Sequence, residues 1–195
     1  MQLYLCRHGE TEWALQGRHT GRSDPPLTGR GEENAKRLGE RLRGKPFRHV
    51  FTSPSQRARR TCEIAGFGSV AQIDPDLAEW DYGQYEGLTS QQIRQLNPDW
   101  RLFRDGCPSG ESVQQISARA ERVVARLRAI TTGDILIFSS GHFLRVLAAR
   151  WTGAEAAFGK HLLLSTAALS MLGHEHANRD EPAICLWNDT SHTVG

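Results

Sequence analysis

A short apolar run, Leu3-Tyr4-Leu5-Cys6, stops abruptly at Arg7-His8-Gly9. A run of that length ending at a breaker reads as a buried strand over about residues 2 to 6. It places an arginine and a histidine at the strand's carboxyl end, the edge where open α/β sheets bind their ligands. A guanidinium is a rigid fork that matches phosphate oxygens, and an imidazole is a competent nucleophile. Side by side they point to phosphoryl transfer through a phosphohistidine. Taken alone, the tripeptide is better explained by an Arg-His pair in a surface turn, because such tripeptides are common, so the rest of the chain has to decide.

Downstream, helical and strand patterns alternate. Thr28 reads as an N-cap, with Glu32 and Glu33 in the first turn and an apolar stripe of Ala35, Leu38 and Leu42 up to a stop at Gly44 and Pro46. His49-Val50-Phe51 is a second strand. Ser53-Pro54 is expected to open a helix, serine as cap and proline at its first position, with Arg57 one turn in. Thr89 and Gln92 form a capping box for a helix to Leu96. Glu111 is expected to begin a long helix with a core stripe of Val113, Ile116, Ala120, Val123, Leu127 and Ile130. Ile135-Leu136-Ile137-Phe138 is a fully apolar strand that turns at Ser139-Ser140-Gly141-His142 into another helix. Residues 167–172 and 183–187 read as two last strands, joined hairpin-like by a polar connection in which His174 and His176 are expected to be exposed. The alternation predicts an α/β domain with a mainly parallel sheet and helices on both faces, mixed by the final hairpin. We expect a three-layer α/β/α sandwich forming one domain over residues 1–195.

Composition removes several function classes. A net charge of +2 gives no case for non-specific nucleic-acid binding, and no apolar run approaches the ~18 residues of a membrane span. Only Lys36, Lys45 and Lys160 are lysines, so the positive charge is nearly all arginine, the better bidentate phosphate ligand. Cys6, Cys62, Cys107 and Cys185 are scattered without metal-ligand spacing, and His174-x-His176 has no third ligand nearby. No metal or cofactor is expected. With no leader pattern at the start, the cysteines read as free thiols of a cytoplasmic protein.

Arg7-His8-Gly9-Glu10-Thr11, followed by Gly21-Arg22-Ser23-Asp24-Pro25-Pro26-Leu27-Thr28, resembles the opening signature of the histidine phosphatase superfamily, which holds the phosphoglycerate mutases and their phosphatase relatives. Ser53 to Ala58, Glu79 to Gly87 and Ser139 to Arg145 agree with it in the same order. Trp100, Arg104-Asp105-Gly106 and Pro108-Ser109-Gly110-Glu111-Ser112 look most like its sugar-bisphosphatase branch, which includes sedoheptulose-1,7-bisphosphatase. The resemblance implies a phosphoglycerate mutase-like fold and a metal-independent phosphatase of a small phosphorylated metabolite, a sugar phosphate or bisphosphate.

In that reading His8 attacks phosphorus, Arg7 and Arg57 hold the phosphoryl oxygens, and Glu79 protonates the leaving oxygen. Thr20-Gly21, in the long loop from Gly9 to Leu27, match a pair that contacts substrate; Tyr82, Ser140 and Gly141 are further candidate contacts. Packing of Glu79 near Trp80 and Tyr82 is expected to raise its pKa. Glu86 reads as structural. Two alternatives remain: a phosphoglycerate mutase, against which stand the short chain after Glu79 and Ala14 where many mutases carry asparagine, and a non-catalytic phospho-ligand binder. The chain also departs from the family. The usual motif is His-Gly with an arginine five positions after the histidine, and counting back from Arg145 puts Ser140 in the histidine's place. If the turn is locally extended, residues 140 and 142 project to one side with Cα atoms ~6.6 Å apart, and His142 takes over the second histidine's role with Ser140 as a minor donor.

Overall fold

The computed structural model describes residues 1–194. Its centre is a six-stranded sheet of β1 (Leu3–Arg7), β2 (Phe47–Thr52), β3 (Gln72–Ile73), β4 (Asp134–Ser139), β5 (Leu169–His174) and β6 (Pro182–Asp189), in the order β3-β2-β4-β1-β5-β6. The pairs β3–β2, β2–β4 and β4–β1 are parallel, whereas β1–β5 and β5–β6 are antiparallel. The mixed, mainly parallel sheet is the one the sequence predicts.

Side chains alternate across a strand, so β1 and β4 feed two cores. Leu3, Leu5, Ile135 and Ile137 pack on one face with Ile116, Ala120, Val123 and Leu127 of α6 (Val113–Ala129) and Leu144, Leu147 and Ala148 of a C-terminal helix, Gly141–Trp151. Tyr4, Cys6, Leu136 and Phe138 pack on the other with Leu38 and Leu42 of α2 (Gly29–Leu42) and Cys62 of α3 (Gln56–Ile64). Helices thus cover both faces, giving the α/β/α sandwich. The shorter helices are α1 (Glu12–Leu15), α4 (Ser90–Leu96) and α5 (Leu102–Asp105); Gly141–Trp151 is α7. Among the described residues no helix is long and apolar enough to cross a membrane.

Register brings the functional ends together. Arg7 lies opposite Ser139, and Thr52 opposite Phe138. The carboxyl ends of β1, β2 and β4 therefore share one edge, tied by His8 N–H to the Ser139 carbonyl at 2.9 Å and Ser53 N–H to the Phe138 carbonyl at 2.8 Å.

Several boundaries differ from expectation. α3 starts after Ser55, two residues beyond Ser53-Pro54, and Ser55 makes no side-chain cap. Its free N–H groups at Gln56 and Arg57 go instead to the Asp24 carboxylate, which arrives from the long loop. α6 starts after Ser112, which forms a capping box with Gln115, because Glu111 is drawn away into a bidentate pair with Arg119 at 2.8 and 2.6 Å. His174 ends β5, its ring 5.2 Å from that of Trp151, so it is not a loop residue; His176 is exposed as expected. Cys6, Cys62 and Cys107 are buried free thiols, and Cys185 is an exposed one.

The loop after β1 turns back so tightly that two glycine backbones meet. A Cβ on Gly9 would stand 2.6 Å from the Gly31 carbonyl oxygen, and one on Gly31 would overlap the Glu10 backbone. Gly31→Ala should therefore lower unfolding stability by about 1–3 kcal/mol, the usual range for overpacking a rigid site. Gly29→Ala, in open space at the start of the same helix, should be neutral or stabilising. Urea denaturation midpoints of the two variants check this.

Candidate active site

His8 follows the last residue of β1 and is buried. Its Nδ1 lies 2.8 Å from the Gly9 carbonyl oxygen. A carbonyl only accepts, so Nδ1 carries the proton and Nε2 keeps a free lone pair. Burial, then the Arg57 and Arg7 charges, hold the imidazole well below its usual range. The ring is thus neutral and oriented, the state a nucleophile requires.

Arg7 donates from Nη1 to the Leu164 carbonyl, while its Nε has no partner. A Cβ on Gly141 would stand 3.1 Å from that Nε, so the glycine is what lets the guanidinium lie against the start of α7. Arg57 is fully buried, and its guanidinium faces the long loop. Nη1 donates to the Ser23 carbonyl and the Asp24 carboxylate at 2.8 and 3.1 Å, and Nη2 to the carbonyls of Thr20 and Gly21 at 2.8 and 3.3 Å. Only Nε is without a partner. In this conformation Arg57 is a strap for the loop, with its charge close enough to act on His8.

Glu79 differs from expectation in its surroundings. Beside Tyr82 in the cavity wall, its carboxylate is held by backbone N–H groups. Oε1 accepts from the N–H groups of Trp80 and Phe143 at 2.9 and 2.7 Å, and Oε2 from that of His142 at 3.0 Å. The carboxylate caps α7, where the first turn leaves N–H groups unpaired and the helix dipole favours negative charge. This also explains the turn at Ser140. Ser140 is extended, but the helix begins at Gly141, so residues 140 and 142 do not lie on one extended segment. Ser140 is fully buried, its Oγ without a partner.

His142 nevertheless reaches the site. Its Nδ1 is 2.6 Å from the Tyr82 hydroxyl oxygen. Burial first, then Arg145, His19 and Arg7, holds His142 neutral, and burial keeps the Tyr82 phenol protonated. A cavity of 230 Å³ brings together Arg7, His8, Thr20, Glu79, Tyr82, Gly141 and His142. Arg57, Ser140 and Gly21 do not line it. Gly21 lies on a neighbouring cavity with Ser53, Pro54 and Asp81, its N–H held by Glu86 at 2.9 Å. Glu86 also accepts from Ser23 N–H at 3.0 Å, a structural role.

Two residues not singled out by sequence also line the His8 cavity. His19 packs against Tyr82 and His142, ring centroids 4.7 and 5.8 Å away, and Arg145 stands beside them. Arg145 entered the sequence reading only as a marker of register.

A model of the histidine phosphatase superfamily (branch 1) matches residues 3–190. The chain belongs to that superfamily. This histidine phosphatase is 42% identical over 183 residues to an acid phosphatase of Mycobacterium tuberculosis, covering 91% of the chain and 89% of the relative. It is 32% identical to sedoheptulose 1,7-bisphosphatase of Saccharomyces cerevisiae, covering 93% and 90%. A solved structure of an open reading frame product from Mycobacterium tuberculosis superposes with a TM-score of 0.89 at 39% identity, covering 96% of each chain.

The histidines of this phosphatase also set an acid limit. Burial lowers the His19 pKa from the usual 6.5 to about 4. The unfolded chain therefore takes up a proton near pH 6.5 that the native chain refuses until about pH 4. Stability from His19 is complete above pH 6.5 and falls between 6.5 and 4, by about 3 kcal/mol at most. His19→Gln should flatten this part of the profile, read from urea midpoints at stepped pH. An unchanged slope would place His19 in a wetter setting.

Proposed function

We propose that the protein is a metal-independent phosphomonoesterase that hydrolyses a small phosphorylated metabolite, a sugar phosphate or bisphosphate, through a phosphohistidine on His8. The observation that carries this reading is the neutral, oriented His8 imidazole, Nδ1 bonded to Gly9 and Nε2 free, in one cavity with Arg7 and Glu79. The relatives named as an acid phosphatase and a sugar bisphosphatase favour hydrolysis over mutase chemistry. One continuous sheet holding both β1 and β6 supports a single domain over residues 1–195.

The steps follow from these positions. His8 Nε2 forms a bond to phosphorus as the bond to the leaving oxygen breaks. Arg7 stabilises the phosphoryl oxygens, and the nearby Arg57 charge adds to the positive field; such transfers depend on positioning and charge rather than on covalent help. Glu79, whose oxygens accept three N–H bonds before substrate binds, takes up the proton of the incoming monoester monoanion and gives it to the leaving oxygen, an alkoxide that leaves poorly without one. Water then attacks phosphorus, returns a proton to Glu79 and releases phosphate and free His8.

His142 supplies the hydrogen bond that the family draws from a second histidine. The protonated Tyr82 hydroxyl donates to His142 Nδ1, which leaves the proton on Nε2 as an uncharged donor toward the phosphoryl group. Ser140, buried outside the cavity wall, is a lesser contributor.

His8→Ala should abolish turnover of nitrophenyl phosphate while the circular dichroism spectrum is kept. Rapid quench of the native enzyme should trap an acid-labile, base-stable phosphoprotein that the variant lacks. Turnover by the variant at a comparable rate would refute the mechanism. For the second donor, His142→Ala should lower kcat by about 10²–10³-fold, as removal of a transition-state donor does. It should weaken vanadate inhibition in parallel, with Ser140→Ala much milder. A change confined to KM for one sugar would make His142 a specificity residue.

A further inference from the structure

Glu79 lies in an irregular stretch between two single 3₁₀ turns, Pro75–Leu77 and Gly83–Tyr85. No ladder or helix of its own fixes an acid there. What stands behind it is the buried Arg119 of α6. Arg119 Nη1 donates to the carbonyls of Asp76 and Ala78 at 2.8 and 2.7 Å, and Nη2 to the Glu79 carbonyl at 3.2 Å. Nε and Nη2 also meet Glu111 Oε1 and Oε2 at 2.8 and 2.6 Å. A guanidinium carries five N–H groups, and all five are used here. Arg119 has none left for a substrate.

Glu111 closes the other side. Its Oε2 accepts from Asp81 N–H at 3.0 Å and its carbonyl from Trp80 Nε1 at 2.9 Å, while its own N–H goes to the Asp81 carbonyl at 2.8 Å. The pair thus holds residues before and after Glu79. Arg119 also lies over the Phe143 ring, 4.6 Å from its centroid, and Phe143 N–H is one of the donors to the Glu79 carboxylate. One side chain therefore touches both the backbone that carries the acid and a residue that receives it.

Carbonyl oxygens that converge on one point repel one another unless a cation stands there. Without the guanidinium, the peptide groups of residues 76–79 would turn apart and draw the Glu79 carboxylate off the start of α7. A lysine brings a point charge with three donors and lacks the fork that spans three carbonyls and a carboxylate. Arg119 and Glu79 both line the neighbouring cavity of 530 Å³, so a small cation from solvent can reach this place.

We infer that Arg119, held by Glu111, is the positioning residue of the proton donor: it sets Glu79 at the leaving oxygen and so governs turnover of esters whose leaving oxygen needs a proton. The inference rests on the Glu79 role proposed above and names the pair that maintains it.

The test measures kcat on phenyl phosphate and on dinitrophenyl phosphate, whose leaving oxygen is a stable anion without a proton. Arg119→Lys should lower kcat for phenyl phosphate by about tenfold or more, within the range of a general acid's contribution, and for dinitrophenyl phosphate by about twofold at most, with little change in KM. Glu79→Gln should show the same selectivity. The double variant should be no slower than Glu79→Gln alone, because a positioning residue has nothing further to lose once the group it holds is gone. Millimolar guanidinium ion should restore part of the phenyl phosphate activity of Arg119→Ala and none to Arg119→Ala/Glu79→Gln. Equal slowing of both esters by Arg119→Lys, or full additivity in the double variant, overturns the inference and leaves Arg119 a stability residue. Where the Arg119 variants do not fold, Glu111→Gln decides: it should show the same selectivity in milder form, and equal slowing by it is again contrary. If the native enzyme hydrolyses neither ester, or Glu79→Gln slows both equally, the reading of Glu79 as proton donor fails instead. The amide proton of His142, a donor to Glu79, then tests the placement by itself in NMR spectra of the folded protein. Its resonance should move in Arg119→Lys as it does in Glu79→Gln; an unmoved resonance overturns the positioning role.

Discussion

A buried guanidinium must be surrounded by acceptors, and the functional edge of this protein is built around that requirement. Removing such a charge from water costs several kcal/mol unless its N–H groups are met. Arg57 is met by the backbone of the long loop after β1, from Thr20 to Ser23, and by Asp24. Arg119 is met by Glu111 and by the carbonyls of Asp76, Ala78 and Glu79. Two irregular segments outside the sheet are thereby given fixed positions. One carries Thr20 and the other Glu79. The arginines do for these loops what a neighbouring strand does for a strand.

Carboxylates complete the pattern from the other side. Asp24 caps α3 and Glu79 caps α7, each from a segment distant in sequence. The contact that positions Glu79 beside His8 is thus the same one that allows α7 to begin at Gly141. Catalytic geometry and helix initiation cannot be altered independently at this point, and a substitution of Glu79 acts on both.

Much of this was legible in the chain. The apolar runs of β1 and β4, the stripe of α6, the capping box at Thr89 and the closing hairpin all depend on neighbours a few residues apart, and such signals survive in a linear string. Arg7 and His8 stood out at the end of a strand, but they and Glu79 became legible as site candidates only through the ordered resemblance to the family's motifs. What escaped was set by distant partners. Nothing near Ser53 announces that Asp24 will cap its helix, and nothing near Trp80 shows that α7 will turn its N–H groups toward Glu79. Arg57 was expected to hold the phosphoryl oxygens, and the string does not show that its guanidinium also straps the long loop. His19 belongs to no local pattern and Arg145 was read only for register; the fold is what brings them to the wall between two cavities.

The place of β1 in the sheet bears on how the protein is made. Its hydrogen-bonding neighbours are β4 and β5, so Leu3 pairs with Ile135 and Leu172. A ribosome delivers residues in the opposite order, and contacts so remote along the chain close slowly. The strand bearing the nucleophile therefore emerges before both of its partners, as an apolar segment with both edges open. The nascent chain has no active site until β4 and the helix after it have been synthesised, and β1 stays unpaired along both edges until then.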